Sequence, residues 1–512
     1  MEQKYAIELQ NITKRFGSVI ANEEINLAVR KGEILCVLGE NGSGKTTLMN
    51  MISGIYYPDE GKIMVDGREV KIRSPKDSFD LGIGMVHQHF KLVDILTAAE
   101  NIVLGLPGRQ VLDMKKVTAE INALVEKYGF DLDPTQKIYQ MSVSQKQTVE
   151  IVKMLYRGAR ILILDEPTAV LTPQESDRLF EVLRNMKEDG CSILLITHKL
   201  QEVLAVSDRV AILRKGRYID TVETKDATVA SLTEMMVGAK VDLNIERPQP
   251  QNIKKRLDLR NVTCVSKDGI KVLDGATFPV YGGEILGIAG IAGSGQKELL
   301  EAIAGLEPVA DGSIMFYPDD KEAQNLANLD VASIRKLGVR LAFVPEDRLG
   351  MGLVSSMNMT DNMMLRSYKK GKSEFLDRKT PGQLAAKIKN QLEIVTPSIT
   401  APVGRMSGGN VQKVLVGREI AQEPKVLMVA YPTRGIDINS SYTIYHLLNE
   451  QKKNGIAVIC VIEDLDVLLE LCDRIVVLCG GKITGIVDGR TAKKEEIGVL
   501  MTHQAEGGTH GE

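Results

Sequence analysis

Short apolar runs rich in Val, Ile and Leu recur along both halves of the 512-residue chain. The runs GEILCVLG, RILILDEP and CSILLITH lack a polar alternation, which is typical of strands buried on both faces of a parallel sheet. Segments with helical periodicity lie between these runs, so the pattern predicts a mostly parallel α/β fold. Residues 93–153 have helical periodicity without a comparable strand, and they predict a helical subdomain.

The pattern occurs twice in the chain. The stretch VRKGEILCVLGENGSGKTTLMNMISGI is echoed by VYGGEILGIAGIAGSGQKELLEAIAGL, so that Lys45 corresponds to Gln296. Further along, Asp165 corresponds to Ala430. Between the copies, NIERPQPQNIKKR contains prolines that break any helix. This organisation predicts a first domain at residues 1–243, a linker at 244–256, a second domain at 257–505 and a flexible tail at 506–512.

The composition is that of a soluble globular protein, with 44% hydrophobic and 26% charged residues. A net charge of −3 argues against a generally basic nucleic-acid binder. The six cysteines are scattered without a CxxC pair, which predicts reduced thiols in a cytosolic protein. The first residues carry no apolar signal-peptide core, and no uncharged apolar run approaches the roughly 20 residues that span a bilayer. We therefore expect no membrane span in this chain.

A glycine-rich stretch, GENGSGKTT, follows an apolar run and matches the pattern GxxxxGK[ST]. Glycines let backbone N–H groups close around phosphates, and the helix that follows presents the positive end of its dipole to them. Lys45 would reach the β- and γ-phosphates, and the hydroxyl of Thr46 would bind Mg²⁺. The predicted phosphate site consists of Gly39, Glu40, Asn41, Gly42, Ser43, Gly44, Lys45, Thr46 and Thr47.

Two carboxylates follow the apolar run ILIL in the first half. Asp165, at the end of the predicted strand, suits a Mg²⁺-bound water, and Glu166 suits positioning of an attacking water. In phosphoryl transfer, catalysis is mostly placement and neutralisation of charge around the γ-phosphate. His198, in LLITHK after the next predicted strand, could contact that phosphate. A lone histidine is usually structural, so its predicted role depends on the motifs around it.

The P-loop, LDEP, ITHK and MSGGNVQK together resemble the ATPase subunits of ABC transporters, twice over nearly the whole chain. The resemblance implies tandem P-loop NTPase domains in the α/β class that bind ATP and Mg²⁺, each with a mostly parallel sheet and a helical subdomain. It implies that Phe16 stacks on adenine. It also implies that Gln88, in VHQHF, contacts Mg²⁺ and links the nucleotide site to a membrane partner. The family's signature falls on Ser407, Gly408, Gly409 and Asn410, where many relatives carry glutamine in place of the asparagine.

In the resembled family, the P-loop and carboxylates of one half face the signature of the other, head to tail, within one chain or with a second chain. The first composite site then has every element. In the second, Gln296 replaces the lysine, and Ala430 and Tyr431 replace the carboxylates. A tyrosine, with a pKa near 10, is a poor base at neutral pH. The resemblance therefore implies one competent and one degenerate site, and further departures in the latter are Glu298, Glu346, Glu463, Val143 and Ser144.

The losses are not spread evenly over the second half. Its signature is intact, and so is Asp437, whose first-half counterpart is Thr172. This distribution favours a functional asymmetric pair over simple decay of the second half.

Fused double ATPases with SGGN and PTRG resemble those of bacterial importers for sugars and nucleosides. MVHQHFKLV and the carboxylate-free AYPTRGID are similar to the nucleoside branch. The resemblance implies ATP-driven nucleoside import, with sugar import as the alternative. It implies integral membrane permease subunits, an extracytoplasmic solute-binding protein, and a peripheral location on the cytoplasmic face of the membrane. A soluble ABC protein acting on ribosomes or DNA is the competing class, but the long charged linker, zinc cysteines and coiled coils of such relatives are missing from this sequence.

Overall fold

The chain divides into two compact units, Met1–Asp242 and Leu243–Glu512. The boundary between the two units falls within residues 239–243, which the structure does not describe. The domain limits derived from the sequence therefore remain a prediction. The computed structural model describes residues 5–17, 19–87, 90–106, 113–168, 171–197, 199–238, 244–251, 253–291, 293–319, 322–336, 341–345, 347–368, 375–434 and 436–502.

The first unit is built on one ten-stranded sheet. Its strands are β1 (Tyr5–Phe16), β2 (Val19–Arg30), β3 (Ile34–Leu38), β4 (Glu60–Val65), β5 (Arg68–Val70), β6 (Ile83–Val86), β7 (Ile161–Asp165), β8 (Ser192–Ile196), β9 (Arg209–Arg214) and β10 (Arg217–Glu223). The strand order is β5-β4-β1-β2-β10-β9-β3-β8-β7-β6. The pairs among β9, β3, β8, β7 and β6 are parallel, and β3 and β8 are buried along their whole length, as their apolar sequences predict.

Some helices of the first unit pack on the sheet, and three of them form a separate apolar cluster. They are α1 (Lys45–Ile52), α2 (Pro75–Asp80), α3 (Ala98–Val103), α4 (Met114–Tyr128), α5 (Val143–Tyr156), α6 (Pro173–Glu188), α7 (Leu200–Val206) and α8 (Val229–Val237). Helices α3, α4 and α5 share a hydrophobic core of their own, which includes Ile102, Ile121 and Val149. The described residues between 93 and 153 contain no strand, so they form the predicted helical subdomain.

The second unit has two sheets. Its strands are β11 (Lys254–Val265), β12 (Lys271–Gly282), β13 (Ile285–Gly290), β14 (Asp311–Phe316), β15 (Gln324–Asn325), β16 (Leu341–Val344), β17 (Val426–Ala430), β18 (Ala457–Val461), β19 (Arg474–Cys479) and β20 (Lys482–Asp488). The central sheet has the order β16-β17-β18-β13-β19-β20 and is parallel except for β20. An antiparallel sheet has the order β12-β11-β14-β15.

The helices of the second unit take the same places in the order of elements along the chain as those of the first. They are α9 (Gln296–Ala304), α10 (Val331–Lys336), α11 (Met359–Met364), α12 (Lys379–Gln391), α13 (Gly408–Ile420), α14 (Ile438–Lys453), α15 (Leu465–Leu471) and α16 (Lys494–Thr502). Within the described ranges, every helix is too short or too polar to span a bilayer.

The antiparallel strands that open each unit were not predicted from the sequence. β1 pairs with β2 and β4, and β11 pairs with β12 and β14. Register shifts interrupt these long pairings, for example between Leu9 and Ile12. A bulge displaces the two-residue alternation of side chains, so the sequence pattern of such a strand loses its period.

The segment predicted to be a linker packs on the second unit. The Arg247 guanidinium donates from Nη1 to the carbonyl oxygens of Leu469 at 2.7 Å, Cys472 at 2.7 Å and Gly489 at 3.0 Å. The carbonyl of Pro248 accepts from Lys452 Nζ at 2.6 Å. Strand β11 begins at Lys254, inside the predicted linker. The prolines do exclude a helix here, but the polar groups of this segment find partners on the second unit.

A buried ion pair secures this contact. Lys452 Nζ lies 2.8 Å from the carboxylate of Asp473, and the two side chains are 1% and 5% exposed. The same carboxylate accepts from the backbone N–H of Ile285 at 2.9 Å and from Arg490 at 3.0 Å. Burial lowers the pKa of Lys452, and the Asp473 charge opposes that effect. The carboxylate therefore stabilises the charged form of the lysine.

We expect Asp473→Ala to lower the free energy of unfolding of the second unit by about 3–5 kcal/mol, because it leaves a buried ammonium group unpaired. Asp208→Ala is the matched control. Asp208 accepts from the N–H of Ile34 at 2.9 Å and pairs with Lys187 at 2.6 Å, but this pair is about one-third exposed. That change should cost only about 1–2 kcal/mol. Calorimetric unfolding of the full chain measures both, and equal costs would contradict the role of burial.

Candidate functional site

The glycine-rich loop connects β3 to α1 with a backbone that only glycine adopts readily. Gly42 has φ 81° and Gly44 has φ 97°, in the left-handed region. A Cβ atom on Gly44 would lie 2.4 Å from the carbonyl oxygen of Ala21, and one on Gly39 would lie 2.3 Å from that of Leu213. The loop therefore packs closely on β2 and β9, and side chains are excluded where it does so.

Lys45, the first residue of α1, is 7% exposed and directs its ammonium group back into the loop. Its Nζ donates to the carbonyl oxygens of Gly39 at 2.7 Å and Glu40 at 3.0 Å. Burial lowers the pKa of Lys45, while the charges of Glu166 and Asp165 oppose that shift. A positive group of this kind, beside a helix N-terminus and bare backbone, is suited to bind phosphate.

Among the residues that the structure describes, Ser43 Oγ and Asn22 Oδ1 are buried beside the loop and find no hydrogen-bond partner. Ser43 Oγ is a donor that an anion in the loop would satisfy. Asn22 was not predicted from the sequence; its Nδ2 donates to the carbonyl of Gly44 at 3.2 Å and so supports the loop from β2. The corresponding residue in the second half is Leu273, and this difference is the signal that could have identified Asn22.

The two predicted carboxylates lie at the end of β7. Asp165 is the last residue of the strand, and Glu166 has φ 48°. The N–H of Glu166 donates to the carbonyl of Ile196, at the end of β8, at 2.8 Å. Burial and the neighbouring charge of Glu166 raise the pKa of Asp165 to about 6, although Lys45 opposes the shift. Lys45, Asp165 and Glu166 therefore form one electrostatic cluster.

Of the other site residues predicted in the first half, the structure describes some and not others. Thr46 is exposed and Thr47 is half-buried in the first turn of α1, beside the loop. Phe16, at the end of β1, is 43% exposed and meets the ring of Tyr56 edge-on at 5.2 Å. Tyr56 was not predicted, and the aromatic pair in GIYYPDEG is the signal that could have identified it. Gln88 and His198 lie outside the described residues, so their roles stay predictions.

The second half keeps the backbone of this site and changes its chemistry. Gly293 and Gly295 have φ 86° and 103°. Gln296 takes the place of the lysine, is 3% exposed, and donates from Nε2 to the carbonyl of Ile291 at 3.0 Å. Tyr431 has φ 48°, and its N–H donates to the carbonyl of Val461 at 2.9 Å, as Glu166 does to Ile196. A neutral amide thus occupies the pocket of the ammonium group.

The side chains around Tyr431 do not make it a base. Burial raises the pKa of Tyr431, and the charges of Glu463 and Glu298 raise it further. Arg434 lies 3.5 Å from the carboxylate of Glu463, and its guanidinium carbon is 5.8 Å from the centre of the Tyr431 ring. Glu346 is outside the described residues. The phenol therefore stays protonated at neutral pH.

The SGGN motif forms the start of α13. Ser407 precedes the helix, and its Oγ accepts from Asn410 Nδ2 at 2.8 Å. Ser407 and Gly408 are exposed, whereas Gly409 is buried. A Cβ on Gly409 would come 2.9 Å from the hydroxyl oxygen of Ser440, so the glycine allows α13 to approach α14. In the first half, the corresponding helix α5 begins with Val143 and is capped by Ser142 with Gln145.

Asp437 has a structural role that the sequence interpretation did not consider. It is the N-cap of α14, where its carboxylate accepts from the N–H of Ser440 at 2.8 Å. Thr172 is the N-cap of α6 in the same way. Both residue types are favoured N-caps. Helix capping therefore explains why Asp437 stands at this position in the second unit, as it explains Thr172 in the first. The presence of Asp437 does not by itself indicate an active role.

Two segments of the chain, residues 22–169 and 273–434, match the ABC transporter family. Together they cover more than half of the sequence. The chain therefore belongs to the ABC transporter family, and the predicted fold, with tandem P-loop NTPase domains, is confirmed. Proteins that carry this domain are ATPases, so this chain is an ATPase with two ABC ATPase domains.

Full-length relatives include both branches that the sequence left open. The chain is 41% identical over 506 residues to the nucleoside import ATP-binding protein NupA of Lactococcus lactis subsp. cremoris, covering 98% of this chain and 99% of the relative. It is 38% identical over 540 residues to the glucose import ATP-binding protein TsgD13 of Haloferax volcanii, covering 98% and 96%.

A likeness to a ribosome-associated protein concerns the fold alone. The solved structure is that of archaeal ribosome recycling factor aABCE1 with the ribosomal stalk protein aP1. It superposes with a TM-score of 0.60 over 93% of this chain and 90% of the other, at 15% identity.

The raised pKa of Asp165 predicts a pH-dependent effect on stability. A carboxyl group whose folded pKa is about 6, against 3.8 ordinarily, destabilises the fold once it ionises. The cost appears above pH 3.8, grows up to about pH 6 and is complete above it. We therefore expect Asp165→Asn to raise the free energy of unfolding at pH 7.5 by about 1–3 kcal/mol in nucleotide-free protein, and by less at pH 5.

Thermal unfolding at the two pH values measures this gain. Asp131→Asn is the control, because the Asp131 side chain is 75% exposed and its ion pair is with the exposed Arg178. Its effect should be small at both pH values. An equal gain from Asp165→Asn at pH 5 and pH 7.5 would contradict the raised pKa.

Proposed function

We propose that this chain is the ATPase subunit of a membrane importer for nucleosides, with one competent nucleotide site. The observation that carries the proposal is 41% identity, over nearly the full length of both chains, to a nucleoside import ATP-binding protein. The carboxylate-free AYPTRGID of the second half supports the nucleoside branch. The glucose import relative, at 38% identity, keeps sugar import as the second candidate.

The residues of the first half fit ATP and Mg²⁺. The bare glycine loop and the buried ammonium group of Lys45 would hold the phosphates. Ser43 Oγ, a buried atom with no hydrogen-bond partner in the described part of the chain, would donate to a phosphate oxygen. We propose that Thr46, Asp165 and Gln88 hold Mg²⁺, which when bound neutralises charge on the phosphates.

We assign the chemical step to the groups around the γ-phosphate. Glu166 would orient the attacking water and accept its proton, and His198 would contact the γ-phosphate. Phe16 would stack on adenine; its exposed ring and edge-on contact with Tyr56 support this.

The second half would complete the first site from outside its own unit. We propose that Ser407, Gly408, Gly409 and Asn410 face the ATP bound by the first half, head to tail, within one chain or between two chains. The exposure of Ser407 and Gly408 at the start of α13 supports this assignment. ATP would then hold the halves together, and hydrolysis would release them.

The transport role implies partners outside this chain. We propose integral membrane permease subunits, contacted through the loops of Gln88 and Glu346, and an extracytoplasmic solute-binding protein that delivers the nucleoside. The chain would act on the cytoplasmic face of the membrane without entering it.

Paired substitutions test the asymmetry of the two sites. Glu166→Gln removes the proposed base, so we expect kcat for ATP hydrolysis to fall by about 10²–10⁴-fold while ATP binding persists. Tyr431→Phe, at the corresponding position, should leave kcat within about twofold, because a protonated phenol contributes little as a base. Phosphate release and binding of a fluorescent ATP analogue measure the two effects. Comparable losses of turnover from both changes would contradict the assignment of one competent and one degenerate site.

Uptake by cells tests the transport role and its substrate. We expect cells with the Glu166→Gln protein to lose uptake of labelled nucleoside and to keep that of labelled pentose. Loss of pentose uptake alone would replace the nucleoside branch with the sugar branch. If neither uptake changes and the protein does not co-purify with membranes, the soluble ABC class would stand instead.

A further inference from the structure

A polar cluster ties together the two loops that follow β7 and β8 in the first unit. Thr168 is two residues beyond Glu166, and Thr197 and Lys199 flank position 198 in the sequence. Glu202, in the first turn of α7, joins them. Its Oε2 accepts hydrogen bonds from the hydroxyl of Thr168 and, at 3.4 Å, from that of Thr197.

Lys199 closes this cluster. Its Nζ lies 3.0 Å from Oε1 of Glu202 and donates to the carbonyl of Thr168 at 3.0 Å. The N–H of Lys199 donates to Thr197 Oγ1 at 3.1 Å. Thr168 and Thr197 are each 2% exposed, and the Glu202 side chain is 13% exposed. A charged acceptor with this little solvent makes hydrogen bonds stronger than those between neutral groups.

The corresponding residues of the second unit cannot form the cluster. Ile462 stands for Thr197, Asp464 for Lys199 and Val467 for Glu202. Thr433 remains at the place of Thr168, but its Oγ1 accepts from the hydroxyl of Tyr445 at 3.0 Å. The backbone bond between the two loops is nevertheless present in both units, from Glu166 in the first and from Tyr431 in the second.

This comparison separates two tasks. The second unit also brings its two loops together, with this backbone bond and, in place of the cluster, an ion pair at 3.5 Å between Arg434 and Glu463. The loops of the repeat can therefore fold without the residues that form the cluster. The cluster occurs where the loop carries Asp165 and Glu166, and it is replaced where the loop carries Ala430 and Tyr431.

We propose that Glu202 is a positioning residue for ATP hydrolysis, which holds the loop of Glu166 in register with the loop that follows β8. It does not touch the phosphates. By accepting from Thr168 and Thr197 it removes the freedom of the first loop to shift, and a shift of about 1 Å in a reacting group can cost on the order of 10²-fold in rate. The inference depends on the role of Glu166 that we propose above.

Three variants of the full chain test the positioning role. Glu202→Val, which introduces the residue of the second unit, should lower kcat by about 10-fold or more with KM for ATP unchanged, because the phosphate loop is not altered. Glu202→Gln keeps an oxygen that both threonines can donate to, so it should restore most of kcat despite losing the charge opposite Lys199. In the variant with both Thr168→Val and Glu202→Val, kcat should fall no further than with the worse single change, because both remove the same contact.

Thr168→Val and Thr433→Val form the matched pair of controls. Each removes a threonine hydroxyl at the same place in the repeat, but only Thr168 donates to Glu202. Thr168→Val should lower kcat, whereas Thr433→Val should leave it within about twofold. A purely structural role would instead lower the thermal midpoint and the amount of folded protein, with kcat per folded molecule unchanged.

Glu166→Gln, assayed alongside, separates the two proposals. If Glu166→Gln abolishes hydrolysis but Glu202→Val retains wild-type kcat with the protein folded, the positioning role is overturned and the function of the site stands. If Glu166→Gln itself retains hydrolysis, the proposed site is wrong. Equal losses from Thr168→Val and Thr433→Val would also overturn the positioning role.

Discussion

The buried ammonium group of Lys45 is the constraint around which the first unit is arranged. It is held by two carbonyl oxygens of the loop that it follows, and the two acidic groups at the end of β7 lie within its field. A charge this deep in the protein requires compensation. The parallel order β3-β8-β7 provides it, because the carboxyl ends of parallel strands meet at one edge of the sheet. The loop, the lysine and the carboxylates are thus one electrostatic unit.

The second unit shows what remains of this arrangement when the charges are absent. Gln296 reaches the carbonyl of Ile291 where Lys45 reaches that of Glu40 and Gly39, so one neutral donor replaces a cation. Ala430 is 6% exposed and ends β17 without any polar group to desolvate. The glycine conformations and the strained residue after the strand are the same in both units. The repeat therefore preserves shape more strictly than chemistry, and only the chemistry distinguishes the two sites.

The parts that the sequence predicts are those with a local cause. Continuous apolar runs predicted β3, β7 and β8, and the spacing of glycine and lysine predicted the loop with Lys45. Residues whose role depends on distant partners were not predictable in this way. Asn22 donates a hydrogen bond to the loop from another strand. Arg247 donates to carbonyl oxygens more than 200 positions away in the sequence, and Glu202 accepts hydrogen bonds that join two loops. Comparing the two halves would have identified Asn22 and Glu202, because Leu273 and Val467 replace them with apolar side chains.

The difference between the units also has a thermodynamic side. In the first unit, burial and like charge raise the pKa of Asp165, so its ionised form at neutral pH reduces stability. A bound cation would reverse that cost, which links folding to nucleotide binding. In the second unit, Ala430 carries no such cost, and buried charges such as those of Lys452 with Asp473 and of Arg418 with Glu419 are paired with each other. In the first unit a ligand can therefore compensate a buried charge, whereas in the second unit the buried charges compensate each other within the fold. A functional site that keeps a buried charge uncompensated is expected to lower the stability of its domain. In a chain with two unequal domains, that loss of stability falls on one domain alone.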